Sequence, residues 1–137
     1  TDELDDELRM AVLRLSRRMR LERVDGDVTD GQLSALFVLA KHGPQTLGSL
    51  SEYERISAPS ANRTVNALVA GGLVTRETAP DDGRKVQVAL TDAGRAIVTE
   101  TKRRRAAWFA RQLALLPATD RAALDAAAPI LHRLADS

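Results

Sequence analysis

The chain has 137 residues and a net charge of +1, and 44% of its residues are hydrophobic but only 3% are aromatic. This length suits one compact domain, whose core must consist mainly of leucine, valine and alanine on packed helices. The absence of cysteine excludes disulfides, thiolate metal sites and thiol-based oxidant sensing.

Two helices are predicted at the start of the chain. Apolar residues recur at spacings of three and four from Leu4 to Met19, which indicates one apolar stripe on a first helix. This helix is expected to end near residues 24–27, where Gly26 offers a stop. The Thr-x-x-Gln sequence that begins at Thr29 is typical of a capping box and opens a second helix, which is expected to end at His42 because glycine and proline follow.

The next two helices are short and are separated by a tight turn. The third is predicted over residues 47 to about 55, after Thr46. Ser57 is expected to cap the fourth helix, with Pro59 in the first turn, where a missing N–H does no harm. Gly71 and Gly72 supply its C-terminal stop. The side chains of this fourth helix that are expected to face the core are Val65, Leu68 and Val69.

The pattern then changes to two strands followed by two longer helices. Strands are predicted over residues 73–78 and 85–90, joined by a turn-forming loop over residues 79–84. Thr91 is expected to cap a fifth helix that runs to about Leu116, and a sixth helix follows Pro117. The order of elements predicts a mainly α-helical fold with a small β-hairpin wing, that is, a winged helix-turn-helix with additional terminal helices.

The fourth helix presents polar side chains where a winged helix-turn-helix contacts the major groove. Arginine can pair with guanine and asparagine with adenine through two hydrogen bonds each, while serine and the positive end of the helix suit phosphate. The predicted DNA-binding residues of this helix are Ser57, Pro59, Ser60, Asn62, Arg63 and Asn66. Taken alone, such residues are ordinary solvent-facing side chains, so it is their place in the helix-turn-helix that favours DNA contact.

Five stretches of the chain, in order, resemble the MarR family of multiple antibiotic resistance regulators. They are residues 46–50, 57–65, 71–74, 80–84 and 90–94, all within 33–98. Each stretch is weak evidence alone, whereas the ordered set is fairly specific. The resemblance covers about half of the chain, and the terminal helices match in layout only.

The resemblance implies that the wing also contacts DNA. In such proteins the wing carries an Asp-x-Arg element, which here begins at Asp82. Arg84 would enter the minor groove, where narrow A·T tracts attract guanidinium groups, and Asp82 would hold Arg84 or the loop in position. Lys85 and Arg76 would contact or steer phosphate. The alternative is that Asp82 and Arg84 merely stabilise the hairpin turn.

The resemblance also implies a homodimer formed by the first, fifth and sixth helices of both chains. The terminal helices agree with this, because their apolar stripes are too large for one small domain to cover. Residues 1–28 and 91–137 are accordingly expected to form a helical dimerisation region and residues 29–90 the DNA-binding region, in one compact domain overall. A two-fold dimer places its recognition helices about 34 Å apart on a pseudo-palindromic operator.

Many MarR regulators are released from DNA by a small anionic or phenolic effector bound between the dimer helices and the winged domain. The candidate effector-binding residues here are Arg14, Arg17, Arg18, His42 and Trp108. A tryptophan in this position is more often a core or dimer-interface residue than a ligand platform, and the alternative of a repressor without any ligand stays open. The two histidines are far apart in sequence and make no zinc site without several carboxylates, so neither a metal nor another cofactor is expected.

Other classes of protein fit the sequence poorly. It lacks a glycine-rich phosphate loop, a Cys/His nucleophile pair and a serine nucleophile motif, so an enzyme is not expected. The sequence contains no apolar run of about 18 residues, so no membrane span is predicted. Residues 1–7 are acidic and do not resemble an export signal. The prediction is therefore a cytoplasmic regulator of transcription, most simply a repressor, that binds double-stranded DNA. The alternative is a winged-helix protein-interaction module without DNA binding.

Overall fold

In a computed structural model the protein has six α-helices and one two-stranded antiparallel hairpin, and the structure describes residues 2–24, 26 and 28–137. In chain order the elements are α1 Asp2–Arg20, α2 Asp30–His42, α3 Leu47–Glu54, α4 Ala58–Ala70, β1 Val74–Ala79, β2 Asp82–Leu90, α5 Asp92–Ala114 and α6 Ala118–Ala135. The expected winged helix-turn-helix, mainly α-helical with a β-hairpin wing, is confirmed.

Side-chain caps set the starts of the central helices. The Thr29 hydroxyl accepts a hydrogen bond from the backbone N–H of Gln32, and the Gln32 side chain accepts one from the N–H of Thr29. This is the capping box expected at the start of α2. The hydroxyls of Thr46, Ser57 and Thr91 cap α3, α4 and α5 in the same way. These starts were predictable because capping depends on local sequence.

The end of α1 differs from the prediction. The helix ends at Arg20 and not near residues 24–27, of which Asp25 and Asp27 lie outside the described residues. Backbone bonds from residues 21 and 22 to carbonyls three positions back tighten the last turn. Beyond it, Arg23 pairs with Asp30 at 2.8 Å and its carbonyl accepts a hydrogen bond from Arg104 at 2.9 Å. These contacts draw the connecting segment towards α2 and α5.

The hydrophobic core lies between α2, α3, α4, α5 and the base of the hairpin. Its buried side chains are Leu33, Ala35, Leu36, Leu39, Leu50, Val65, Leu68, Val74, Val88 and Val98. The prediction that Val69 faces this core is wrong, because its side chain is 36% exposed. Ala61, Val65 and Leu68 form the buried stripe of α4, and Val69 lies at its edge.

The hairpin is longer than predicted and its turn is tighter. Ala79 pairs with Asp82, so β2 begins at Asp82 and not at Lys85, and the register is irregular between Thr78 and Ala79. The extra residues 83–85 bulge on β2 between these pairs, and the Ala79 side chain at the end of β1 is buried. At the base, Gln45 and Val88 exchange backbone hydrogen bonds of 3.0 and 2.7 Å, which attach the wing to the loop between α2 and α3.

The two terminal helices contribute no fully buried residue among those that the structure describes. Large apolar side chains are exposed along both, namely Leu4, Leu8, Met10, Val12, Leu13, Leu15, Leu124, Ile130, Leu131 and Leu134. Nowhere in the described part of the chain does a helix combine the length and apolar character needed to cross a membrane.

Candidate DNA-binding surface

The helix α4 divides into a buried face and an exposed polar face. The buried stripe anchors the helix on α2 and β1, which leaves the opposite side to solvent. The exposed residues on this helix and its cap that were predicted to bind DNA are Ser57, Pro59, Asn62, Arg63 and Asn66. Ser60 is half-buried at the start of the helix. The structure therefore places these candidates at one accessible helix surface.

A chain of hydrogen bonds connects three of these residues. The Ser57 hydroxyl caps the helix and donates to Ser60 Oγ at 3.0 Å, and Arg63 Nη2 donates to the same oxygen at 3.0 Å. Both serine hydroxyls lie at the N-terminal end of α4, where the helix dipole favours phosphate. Arg63 is thereby directed along the helix, with further N–H groups of its guanidinium left to donate.

The wing is joined to α4 by a second polar contact. Arg76 lies on β1, opposite Val88 in the hairpin register, and its Nη2 donates to Asn66 Oδ1 at 2.6 Å. Both side chains are exposed, so the bond is accessible from the solvent side of the helix. Arg76 was predicted to contact or steer phosphate, and its bond to a recognition-helix asparagine was not anticipated.

At the tip of the wing, Asp82 supports the loop. Its carboxylate accepts a hydrogen bond from the backbone N–H of Arg84 at 3.0 Å, which is an Asx-type turn. In the described part of the chain, Asp82 makes no ion pair with the Arg84 guanidinium. The side chains of Arg84 and Lys85 are exposed. Of the two roles expected of Asp82, the geometry favours holding the loop, which leaves the Arg84 guanidinium exposed to solvent.

The candidate effector residues do not form one group. The Arg18 guanidinium lies 4.7 Å from the centre of the Trp108 ring, which is 8% exposed, so these two residues join α1 to α5. His42 instead stacks on Tyr53, with 4.3 Å between ring centres. Arg14 is exposed on α1, and Arg17 lines a small cleft of about 270 Å³ near the end of that helix.

A larger cleft of about 570 Å³ lies between α1, α2 and α5. It is lined by Ser16, Met19, Arg20, Asp30, Gly31, Leu33, Ser34, Phe37, Glu54 and Arg105. The Arg105 guanidinium lies 5.3 Å from the centre of the Phe37 ring, and its Nε is buried without a hydrogen-bond partner among the described residues. Burial lowers the pKa of Arg105. The charge of Asp30 opposes this shift, and the positive charges of Arg20 and Arg23 add to it.

Sequence reasoning missed Arg105, although the spacing of α5 contains a signal. The buried residues of this helix are Gly94, Val98, Thr101 and Trp108, at intervals of four, three and seven. Arg105 falls at the position between Thr101 and Trp108 that continues this stripe. A basic residue on a buried stripe is unusual.

Among the described residues, no group of three or more histidines and carboxylates is placed to hold a metal ion.

A winged helix-turn-helix with an exposed, arginine-containing recognition helix defines a class, the DNA-binding regulators of transcription. The sequence model of the MarR family matches residues 26–85. An uncharacterised HTH-type transcriptional regulator of Mycobacterium bovis is 38% identical over 133 residues, which cover 97% of this chain and 93% of that protein. The chain belongs to the MarR family, and both the family and this relative are transcriptional regulators and not enzymes.

Solved structures agree with this membership. A MarR family protein from Bacillus stearothermophilus superposes with a TM-score of 0.86 at 24% identity, over 99% of this chain and 95% of the other, which establishes the fold. The BpsR protein of Bordetella bronchiseptica superposes with a TM-score of 0.70 at 25% identity, over 98% and 94% of the two chains. The DNA binding of BpsR is regulated by 6-hydroxynicotinic acid.

Proposed function

We propose that the protein is a homodimeric repressor that binds a pseudo-palindromic operator, with α4 in the major groove and the wing in the minor groove. The observation that carries the proposal is the exposed polar face of α4 and the adjoining wing, on which one hydrogen bond joins Arg63 to Ser60 and a second joins Arg76 on β1 to Asn66. Arg84 and Lys85 extend its positive charge along the wing. A repressor of this kind acts sterically, by occupying DNA that the polymerase needs, and it works in the cytoplasm, where a bacterial chromosome lies.

The dimer is supported by the terminal helices. Leu4, Leu8 and Leu15 are 65%, 41% and 45% exposed in a single chain and lie on one side of α1, and Leu134 on α6 is 57% exposed. Exposed apolar side chains grouped in this way mark protein interfaces. We assign residues 1–28 and 91–137 to the dimerisation region and residues 29–90 to the DNA-binding region. A two-fold axis through the terminal helices presents two copies of α4 to successive major grooves, about 34 Å apart.

Selection from a random duplex pool tests this function. The purified protein is expected to enrich an inverted repeat whose half-sites are about one helical turn apart. Enrichment of a single, unrepeated half-site would contradict the dimeric arrangement. Failure to bind any duplex would instead favour a protein-interaction module with the same fold.

Replacing Arg63 by alanine is expected to weaken operator binding by about 1–3 kcal/mol and to flatten the base preference at one position of each half-site, because the variant loses a donor to guanine. Binding to each single-base operator variant, measured by fluorescence anisotropy, checks both effects. Arg111→Ala is the matched control, since it removes the same charge from an exposed position of α5 and is expected to keep the preference. An Arg63 variant with weaker binding but an unchanged preference would show that Arg63 contacts phosphate only.

We further propose that an aromatic carboxylate releases the protein from DNA by binding in the cleft between α1, α2 and α5. Arg105 and Arg20 provide positive charge, and Phe37 and Met19 provide an apolar wall. Two carboxylates also line the cleft, and both are paired, Asp30 with Arg23 and Glu54 with the Ser34 hydroxyl. Because Arg105 lines the cleft, a bound carboxylate can accept a charge-assisted hydrogen bond from its guanidinium. The regulation of BpsR by 6-hydroxynicotinic acid, an aromatic carboxylate, supports this class of effector.

Replacing Arg105 by alanine is expected to weaken this release. Operator complexes of the parent are expected to dissociate on addition of 6-hydroxynicotinic acid or benzoate, and the Arg105 variant is expected to need at least about tenfold more of either compound, because a charge-assisted hydrogen bond is lost. Arg103→Ala is the control on the same helix, since Arg103 is exposed and paired with Glu100. Equal sensitivity of the two variants, or insensitivity of the parent to both compounds, would contradict an aromatic carboxylate site at Arg105.

A further inference from the structure

The hydrogen bond between Arg76 and Asn66 limits how Asn66 can face a base. A guanidinium has only donors, so the asparagine must turn its carbonyl oxygen towards Arg76. The Arg76 Nη2 to Asn66 Oδ1 distance of 2.6 Å is short, as in charge-assisted hydrogen bonds. The amide nitrogen of Asn66 is then directed away from Arg76, and it has no hydrogen-bond partner among the described residues. The wing thus selects one of the two orientations that an exposed amide otherwise adopts.

The orientation of this amide matters for base recognition. Asparagine recognises adenine by accepting from N6 and donating to N7 at the same time, which requires its oxygen and nitrogen to face the base together. When the oxygen is held by Arg76, one of its lone pairs is used and the oxygen is turned towards the wing, so the two N–H donors face outwards. The major-groove edge that offers two neighbouring acceptors is that of guanine, through O6 and N7.

We propose that Arg76 is a positioning residue that fixes the Asn66 amide in its donor-outward orientation and so gives Asn66 a preference for a G·C pair over an A·T pair. The inference rests on the proposed binding of α4 in the major groove. It assigns Arg76 a role in sequence preference, which differs from the phosphate contact expected from the sequence. Arg76 acts through Asn66, and it need not touch a base itself.

The two roles of Arg76 lead to different results. If Arg76 contacts phosphate alone, its loss weakens binding to all sequences alike and reduces the salt slope by about one. If it positions Asn66, its loss changes the ratio of affinities for operators that differ at one base pair. A general loss of stability or of dimer formation does not change this ratio, because both operators are bound by the same protein.

The test first locates the base pair of the operator at which Asn66→Ala removes the preference of the parent. It then measures the ratio of the affinities for operators that carry G·C or A·T at that base pair. The parent is expected to prefer G·C, and Arg76→Ala is expected to lower the ratio by about tenfold or more, because the freed amide can then pair with adenine. Arg76→Lys restores a donor to Asn66 Oδ1 and is expected to recover much of the ratio. Asn66→Asp keeps a partner for Arg76 but has no N–H donors, so it is expected to lose the G·C preference.

An Arg76→Ala variant that binds more weakly but keeps the ratio of the parent would overturn the proposal. So would an Asn66→Ala variant with an unchanged preference at every position, since Asn66 would then read no base. Failure of the parent to bind any duplex would refute the proposed function, and this inference with it. Thermal unfolding of each variant serves as the folding control, and little change is expected because both side chains are exposed.

Discussion

Replacing Arg84 by alanine is expected to weaken operator binding by about 10- to 100-fold, or roughly 1–3 kcal/mol, without unfolding the protein. The guanidinium is exposed at the tip of the wing, and the Asp82 carboxylate holds the backbone of the loop rather than the Arg84 side chain. The loop conformation therefore does not depend on the guanidinium. A narrow minor groove attracts this planar cation strongly, which explains why the loss falls on binding rather than on stability.

Fluorescence-anisotropy titration of the Arg84 variant against an A·T-rich minor-groove sequence checks this prediction. Arg84→Lys keeps the charge but not the planar guanidinium, and an intermediate affinity is expected. The Arg111→Ala control on α5 is expected to bind within about twofold of the parent, because its charge is exposed away from the wing. Binding by Arg84→Ala as tight as that of the parent would mean that the residue only stabilises the hairpin turn.

Replacing Gly94 by alanine is expected to lower the free energy of unfolding by about 3 kcal/mol, at the upper end of the cost of overpacking. A Cβ atom at this position would lie 2.2 Å from the carbonyl oxygen of Leu73 and 3.1 Å from a methyl carbon of Leu90. The first contact is with backbone, so a side-chain rotation cannot relieve it. The close approach is fixed by Thr91, whose N–H and hydroxyl donate to the carbonyls of Leu73 and Gly72 at 3.1 and 2.7 Å.

Thermal unfolding of the Gly94 variant tests this packing, and a decrease in Tm of roughly 10 °C corresponds to the expected loss. Gly31→Ala is the matched control, because Gly31 is also in the first turn of a helix and an added Cβ there meets no atom within 4 Å. That variant is expected to be as stable as the parent or slightly more stable, since alanine favours helix. Equal Tm values for the two variants would contradict the tight contact between α5 and Leu73.

The local features of the fold were predictable, because they depend on residues close in sequence. Thr29, Ser57 and Thr91 cap their helices where the sequence indicates, and Gly71 ends α4. The features that differ depend on distant contacts. Past the early end of α1, Arg23 contacts Asp30 on α2 and Arg104 on α5, and no periodic pattern within the first helix predicts those contacts.

The candidate site was predictable in outline but not in its internal contacts. The helix-turn-helix order placed the candidate residues on α4 and the wing, whereas the bond from Arg76 to Asn66 joins residues on two different elements. The cleft was harder to predict, because the basic residues 102–105 look alike in sequence. The spacing of α5 places Arg105 on the buried stripe, but only the folded helix shows that it faces Phe37 while Arg103 is paired with Glu100 at the surface.

The most direct test of the central claim is a fluorescence-anisotropy titration of the protein onto its selected inverted repeat at 50 and 200 mM salt. We predict saturation at two protomers per duplex and an affinity that falls by about 100-fold or more between the two salt concentrations, as expected for roughly four or more phosphate contacts. Binding by a single protomer, or an affinity that does not change with salt, would contradict a dimeric regulator that holds DNA through α4 and the wing.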